Sequence, residues 1–154
     1  MKKNKINDSP FATLHHISIV VKDIAKATQF YESIGIGPFT EYPPMREYVK
    51  IKVPDEEGFY NLKIRCAQIG PVQLQLIQPG AGDSLYKAHL AEKGEGVYHL
   101  GFEVDSIDKA EQQVRNLGLE IISSGRRENS SGFAYLATVD PGGVTLLVRQ
   151  SPLP

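Results

Sequence analysis

The pattern of hydrophobic and polar positions in this chain occurs twice. An alternating apolar and polar segment begins at Leu14 and ends at a helix-capping residue, Asp23, and a similar segment begins at Val97 and ends at Ser106. Alternation with period two predicts a strand, and apolar residues at helical spacing after each cap predict a helix. The shared residue types lie 83 positions apart: His16 and His99, Val21 and Val104, Ile24 and Ile107, Lys26 and Lys109, Ala27 and Ala110, Gln29 and Gln112, Gly35 and Gly118.

Three further strands are predicted after each strand–helix unit. They cover residues 48–53, 60–69 and 72–78 in the first half, and 119–123, 133–139 and 144–149 in the second. The closing segments match at an offset of 72, with Val72–Gln78 over Val144–Gln150. Two βαβββ modules side by side predict an α+β fold, in which a curved sheet of eight strands forms an incomplete barrel with the helices outside and a concave face inside.

Four segments follow from this division. Residues 1–12 are predicted to be a flexible tail, 13–80 the first module, 81–94 a connector with a helix over 84–93, and 95–150 the second module. Together they make one domain. The polar stretch 125–132, which contains Arg126 and Arg127, predicts a mobile, solvated loop.

Composition narrows the class of protein. A net charge of -1 gives no reason to expect nucleic acid or an anionic membrane as a partner. No apolar run approaches the ~20 residues of a membrane span, and the N-terminus lacks the apolar stretch of a signal peptide. The single cysteine, Cys66, excludes an internal disulfide and is predicted to be a buried, inert thiol. We therefore expect a cytoplasmic, soluble protein that binds a small molecule.

The repeat places chemically useful side chains at equivalent positions. His16 and His99 begin the two repeated strands, and Gln75 and Leu147 form the second equivalent pair. All four are predicted to point into the concave face, whereas His15 alternates to the other side and is predicted to have no functional role. Two imidazoles and an amide oxygen are suitable ligands for a divalent ion such as Co, Ni, Mn, Fe or Zn.

Four ordered motifs extend this picture: His16–Ile24, Val72–Pro79, Gly94–Asp105 and Asp140–Val144. Together they resemble the vicinal oxygen chelate superfamily of glyoxalases, extradiol dioxygenases, epimerases and antibiotic-resistance binders, and most closely its methylmalonyl-CoA epimerase branch. The resemblance covers residues 13–150. It implies a homodimer, and it implies that His16, Gln75 and His99 are three of four metal ligands.

One position departs from the family pattern. The resemblance implies a glutamate as the fourth ligand, but Leu147 stands there. A metal would then have three neutral protein ligands and bound waters, which predicts weak binding. Extradiol dioxygenase chemistry is disfavoured because its iron site needs a carboxylate beside two histidines.

Further site residues are predicted around these four. Lys63 and Arg65 on one strand and Arg149 on another would bind a substrate carboxylate or phosphate, or stabilise an enolate, although Lys63 and Arg65 also suit solvated strand positions. Glu103 is the candidate base at the cavity rim. Tyr135 is predicted to be mainly a packing residue that reaches the cavity.

These residues favour a small metal-dependent isomerase, epimerase or lyase. It would act next to the carbonyl of an oxo-acid or an acyl thioester. Two alternatives remain open. One is a metal-free binding or resistance protein on the same fold, which the apolar Leu147 favours. The other is catalysis without a metal, in which the two histidines act directly as acid and base.

Overall fold

A computed structural model describes residues 9–152 and shows a mixed sheet that carries helices on its outer side. The strands are β1 (Leu14–Val20), β2 (Thr40–Glu41), β3 (Tyr48–Lys52), β4 (Lys63–Ile69), β5 (Val72–Gln78), β6 (Gly96–Glu103), β7 (Ile121–Arg127), β8 (Gly132–Leu136) and β9 (Thr145–Gln150). The helices are α1 (Ile24–Ser33), α2 (Glu56–Tyr60), α3 (Leu85–Lys93), α4 (Ile107–Asn116) and α5 (Val139–Gly142). A 3₁₀ turn covers Met45–Glu47.

The two halves join along β1 and β6. The strand order is β2-β4-β5-β1-β6-β9-β8-β7-β3, so the described strands form one sheet that is not closed. β1 pairs with β5 in parallel and with β6 antiparallel, and β6 pairs with β9 in parallel. This confirms the predicted fold class. The strand count is nine rather than eight because the two-residue β2 was not predicted, and β3, expected with its own half, pairs with β7 of the other half.

Both repeated helices begin at their predicted caps. The side chain of Asp23 accepts a hydrogen bond from the backbone N–H of Lys26, and that of Ser106 accepts one from the N–H of Lys109. The connector helix α3 begins one residue later than predicted, since Ser84 is its cap. Within residues 9–152, no helix combines the length and the apolar character needed to cross a bilayer.

The predicted tail is only partly described, because residues 1–8 lie outside the described residues. Among its remaining residues, Pro10 is buried and the ring of Phe11 contacts that of Phe102, with centroids 5.3 Å apart. Phe102 belongs to β6, so this contact lies beside a central strand of the sheet.

Half of the segment predicted to be a mobile, solvated loop is strand, and its two arginines are packed. β7 extends to Arg127 and β8 begins at Gly132, which leaves four residues between the strands. Arg126 forms an ion pair with Glu111, with Nη2 and Oε1 2.6 Å apart, and Arg127 is buried. The prediction was wrong for the two arginines, because Arg126 pairs with Glu111 on α4 and Arg127 with Tyr48 on β3, whereas residues 128–130 are exposed between the strands.

Candidate active site

Two histidines from neighbouring strands meet in the interior. Nε2 of His16 on β1 lies 2.8 Å from Nε2 of His99 on β6, and their rings cross at 87°. Both side chains are almost fully buried. Burial lowers the pKa of His99 to about 3, and burial together with the nearby His99 and His15 holds the pKa of His16 well below its usual value. Both imidazoles are therefore neutral near pH 7.

This pair lies in a small cavity of about 40 Å³. The predicted site residues that line the cavity are His16, Gln75, His99, Tyr135, Leu147 and Arg149. The structure thus brings together six side chains from five strands, β1, β5, β6, β8 and β9. Leu147 is buried and packs among aromatic rings, so this part of the cavity wall is apolar.

His15 also belongs to the cluster, although the sequence placed it on the opposite face. Its Nδ1 lies 2.8 Å from Nδ1 of His16, and Nη1 of Arg149 lies 3.1 Å from its Nε2. The pairing of β1 with β6 shifts register between Leu14 and His16, which disturbs the regular alternation at His15. Simple strand periodicity therefore missed this residue.

Glu103 lies behind Arg149 rather than on the cavity wall. Its Oε2 is 3.3 Å from Nε of Arg149, and its Oε1 accepts a hydrogen bond of 2.8 Å from the backbone N–H of Ser151. Oε2 is buried and attracts Arg149 by charge without a hydrogen bond. Because Glu103 is absent from the cavity wall, it is placed to orient Arg149 and is poorly placed to take a proton from a ligand in the cavity.

Lys63 and Arg65 line a neighbouring groove instead of the histidine cavity. The groove has a volume of about 860 Å³ and also contains Lys22 and Arg46. It shares three wall residues with the cavity, namely Tyr42, Met45 and Ile64. Arg65 contacts Glu41, with Nε and Oε1 3.8 Å apart, and donates to Thr28. The two spaces are therefore adjacent, and the predicted cations belong to the larger one.

The sequence analysis missed three tyrosines in the cavity wall: Tyr42, Tyr48 and Tyr86. The hydroxyl of Tyr86 lies 3.4 Å from Nδ1 of His99 and also contacts the hydroxyl of Tyr135. Burial raises the pKa of Tyr48, Tyr86 and Tyr135, so these hydroxyls keep their protons at neutral pH. Tyr86 is the one buried residue of α3, and the weak apolar periodicity of that helix gave no clear signal for it.

A buried arginine supports two of these tyrosines. Nη2 of Arg127 lies 2.8 Å from the hydroxyl of Tyr48 and 3.3 Å from that of Tyr42, and the two hydroxyls are 2.7 Å apart. The guanidinium carbon also lies 4.3 Å from the centre of the Tyr48 ring. Tyr42 and Tyr48 flank the loop between β2 and β3, where no periodic pattern predicts which side chains face inward.

The divalent ion that the resemblance implies does not fit the donors present. Among residues 9–152, no three histidine, cysteine, aspartate or glutamate side chains converge on one point. Gln75 could offer only its neutral amide oxygen as the third ligand, since its amide nitrogen donates to Oε1 of Gln73 at 2.8 Å, and Leu147 has no ligand atom. Two imidazoles and one amide are all neutral ligands. No ligand charge would therefore balance the positive charge of the ion in a desolvated cavity.

Comparison with known proteins places these observations in context. A family model described as the glyoxalase/bleomycin resistance protein/dioxygenase superfamily matches residues 15–135. The uncharacterized protein YqjC of Bacillus subtilis is 28% identical over 133 residues, which cover 85% of this chain and 86% of that protein. Mitochondrial methylmalonyl-CoA epimerase of Homo sapiens is 25% identical over 141 residues, with 90% and 73% coverage.

A solved structure shows the same fold. It is a Streptomyces coelicolor methylmalonyl-CoA epimerase variant in complex with 2-nitronate-propionyl-CoA. The TM-score is 0.69 at 24% sequence identity, and the match covers 92% of this chain and 98% of that one.

Proposed function

Because the chain belongs to the glyoxalase/bleomycin resistance protein/dioxygenase superfamily, we propose that it is an enzyme that moves a proton at the carbon next to the carbonyl of an acyl-CoA thioester. Relatives named methylmalonyl-CoA epimerase support this choice of substrate and of reaction. The observation that carries the proposal is the contact between two neutral imidazoles in a cavity that adjoins a cationic groove. Epimerisation is the reaction this pair suits best, because it needs only one group that takes a proton and one that gives it.

The groove suits the anionic part of coenzyme A. Its acids are engaged locally, since Asp23 caps α1 and Glu41 pairs with Arg65. Lys22 and Lys63 form no ion pair within residues 9–152, and Arg46 stacks on Tyr60 at 4.5 Å. These three cations are therefore available for the phosphate groups of the substrate.

The side chains that line the cavity suit the chemistry of the acyl end. A neutral imidazole has a lone pair that can accept the α-proton, and the resulting enolate carries a negative charge on its oxygen. The guanidinium of Arg149 lines the cavity and is the cation best placed to stabilise that charge. The negative charge of the enolate stabilises the positive charge of the protonated imidazole. Without substrate, burial in the cavity disfavours that positive charge.

Deuterium exchange tests this reaction directly. Methylmalonyl-CoA is incubated with the protein in D₂O, and uptake of one deuterium at the α-carbon is followed by mass spectrometry. We expect uptake with the unchanged protein and a loss of about 10²-fold or more in His99→Gln, the range for removal of an acid–base residue. His89→Gln is the matched control, because the ring of His89 contacts Tyr98 and lies outside the cavity wall.

The same experiment separates the enzyme from a metal-free binding protein, which the apolar wall at Leu147 favours. A binding protein would raise its melting temperature with methylmalonyl-CoA and would show no α-deuterium uptake. That result would replace the proposed activity with ligand binding.

Three predictions made from the sequence have no part in this proposal: the homodimer, the cytoplasmic location and the lyase reaction. The homodimer implied by the resemblance stays a prediction for sedimentation to test, and the cytoplasmic location stays a prediction from composition. A lyase reaction stays a less favoured alternative, because the relatives with a named activity that are cited above are epimerases.

A further inference from the structure

We propose that the hydroxyl groups of Tyr42 and Tyr48, with the buried guanidinium of Arg127 behind them, form a subsite that binds a carboxylate of the substrate. The inference rests on the proposed function, because it specifies which acyl-CoA the cavity accepts: one with a carboxylate on the reacting carbon. Binding affinity tests the subsite and deuterium uptake tests the reaction, so either can fail without the other.

The two hydroxyl groups leave one hydrogen without a partner. Nη2 of Arg127 donates to both oxygens, over 2.8 Å to Tyr48 and 3.3 Å to Tyr42. A guanidinium has no acceptor atom, so neither hydroxyl can donate back to it. The two oxygens lie 2.7 Å apart, and one hydrogen lies between them whichever hydroxyl donates. The other hydroxyl hydrogen has no acceptor within residues 9–152, so it is available to an oxygen of a ligand.

This hydrogen belongs to a side chain of the histidine cavity in either case. Tyr42 and Tyr48 both line the cavity, and Tyr42 also lines the cationic groove. Burial is the main cause of the raised pKa of Tyr86 and of Tyr135, and the Tyr42 hydroxyl contributes a smaller part to each. The hydroxyl pair therefore lies close to the other polar groups of the cavity.

The charges around the cavity favour an anion. Within residues 9–152 no aspartate or glutamate lines the cavity, and Arg149 is its one charged lining residue. Arg127 is 7% exposed, and the nearest carboxylate, Oε2 of the half-exposed Glu47, lies 3.5 Å from its Nε. A buried cation that is balanced only from the solvent side favours a negative group on its other side. A carboxylate in the cavity would thus be attracted by two guanidinium groups.

The volume of the cavity limits the size of the bound group. About 40 Å³ admits a few water-sized groups, which suits a carboxylate and is too small for a thioester chain. The rest of an acyl-CoA would occupy the groove of about 860 Å³, which shares Tyr42, Met45 and Ile64 with the cavity. A carboxylate held in the cavity would therefore keep the carbon that bears it beside the wall to which both histidines belong.

Calorimetric titration with two thioesters tests the subsite. Methylmalonyl-CoA carries the carboxylate, and propionyl-CoA is the same thioester without it. We expect the unchanged protein to bind methylmalonyl-CoA at least about 10-fold more tightly, the low end for a hydrogen bond to a charged group. The titrations contain a chelator, so that a metal ion cannot account for the preference.

Tyrosine variants show whether the hydroxyl groups cause the preference. The double variant Tyr42→Phe with Tyr48→Phe should lose most of it and keep its affinity for propionyl-CoA. Each single variant keeps one hydroxyl beside Arg127 and should keep part of the preference. Tyr31→Phe is the matched control, because the Tyr31 ring packs against Phe39 outside both the cavity and the groove.

Two further variants change the charge behind the hydroxyl groups in opposite directions. Arg127→Leu removes the cation and should weaken binding of methylmalonyl-CoA alone. Glu47→Gln removes the competing carboxylate and should strengthen binding of methylmalonyl-CoA alone. Affinity for propionyl-CoA reports whether each variant is folded. If Arg127→Leu binds neither thioester, the tyrosine variants and Glu47→Gln decide.

Three results would overturn the inference: equal affinity of the unchanged protein for the two thioesters, a preference that disappears when the chelator is added, or an undiminished preference in the double tyrosine variant. Each of them leaves the proposed reaction standing if α-deuterium uptake is observed. A preference that depends on the tyrosines, without any deuterium uptake, would overturn the proposed reaction and leave the carboxylate subsite standing. Binding of neither thioester by the unchanged protein would overturn both.

Discussion

Gly101 is the residue that allows the ring of His16 to take its position. The two residues face each other across the β1–β6 pair, and a Cβ atom at position 101 would lie 2.0 Å from Cε1 and 2.3 Å from Nε2 of His16. The ring cannot move aside easily, because His15 and His99 hold it at its two nitrogens. The absence of a side chain at Gly101 is therefore as important to the histidine pair as the imidazoles.

Replacing Gly101 by alanine should lower the free energy of unfolding by about 1–3 kcal/mol, the usual cost of overpacking a buried position. It should also lower deuterium uptake, because the His16 ring must leave its partner. Urea unfolding measures the first effect. In a double variant with His16→Ala, which removes the clashing ring, the loss from Gly101→Ala should be smaller than in the single variant. Additive losses would show that the ring does not limit position 101.

α2 shows how a short element outside the repeat shapes the site. This helix places Phe59 in the cavity wall, where its ring stacks on Phe133. One carboxylate oxygen of Asp55 accepts hydrogen bonds from the backbone N–H groups of Gly58 at 3.1 Å and Asp83 at 2.8 Å. Asp55 thus both caps α2 and ties it to the segment that leads into the connector helix. The five residues of this helix show no apolar periodicity. The sign of it in the sequence is Asp55 followed by two glutamates, a pattern typical of a helix N-terminus.

Asp55→Ala should therefore destabilise the protein by about 1–2 kcal/mol, toward the upper end for loss of a helix cap because two backbone donors lose their acceptor. Asp55→Asn keeps an oxygen that can accept both bonds and should retain most of the stability. Chemical denaturation of the two variants side by side measures the difference. Equal stability of Asp55→Ala and the unchanged protein would mean that water replaces the carboxylate without cost.

At the scale of the whole molecule, the features that the sequence predicted correctly are those that occur in both halves of the chain. The two βα units, their caps and the inward positions of His16, Gln75, His99 and Leu147 follow from matched patterns in the two halves. It did not predict that β3 would pair with β7, or that Arg127 would be buried beside Tyr48, because these contacts join a strand of one half to a strand of the other. Local periodicity carries no information about such pairings.

The repeat extends to one hydrogen bond that closes each half. The side chain of Gln78, at the end of β5, accepts a bond of 2.9 Å from the N–H of Ile24 in the first turn of α1. Gln150, at the end of β9, accepts a bond of 3.0 Å from the N–H of Ile107 in the first turn of α4. Each half thus ties its last strand to the start of its helix through the same atoms, which implies equal contributions to stability.

Gln78→Leu and Gln150→Leu should each lower the free energy of unfolding by about 1 kcal/mol, the typical net value of one hydrogen bond. The two losses should add in the double variant, because the pairs lie in separate halves and share no partner. Gln112→Leu is the control, since Gln112 is exposed on α4 and should tolerate the change. A lower free energy of unfolding in only one of the two single variants would show that the halves, although matched in sequence, contribute unequally to stability. Only one helix would then depend on the last strand of its half.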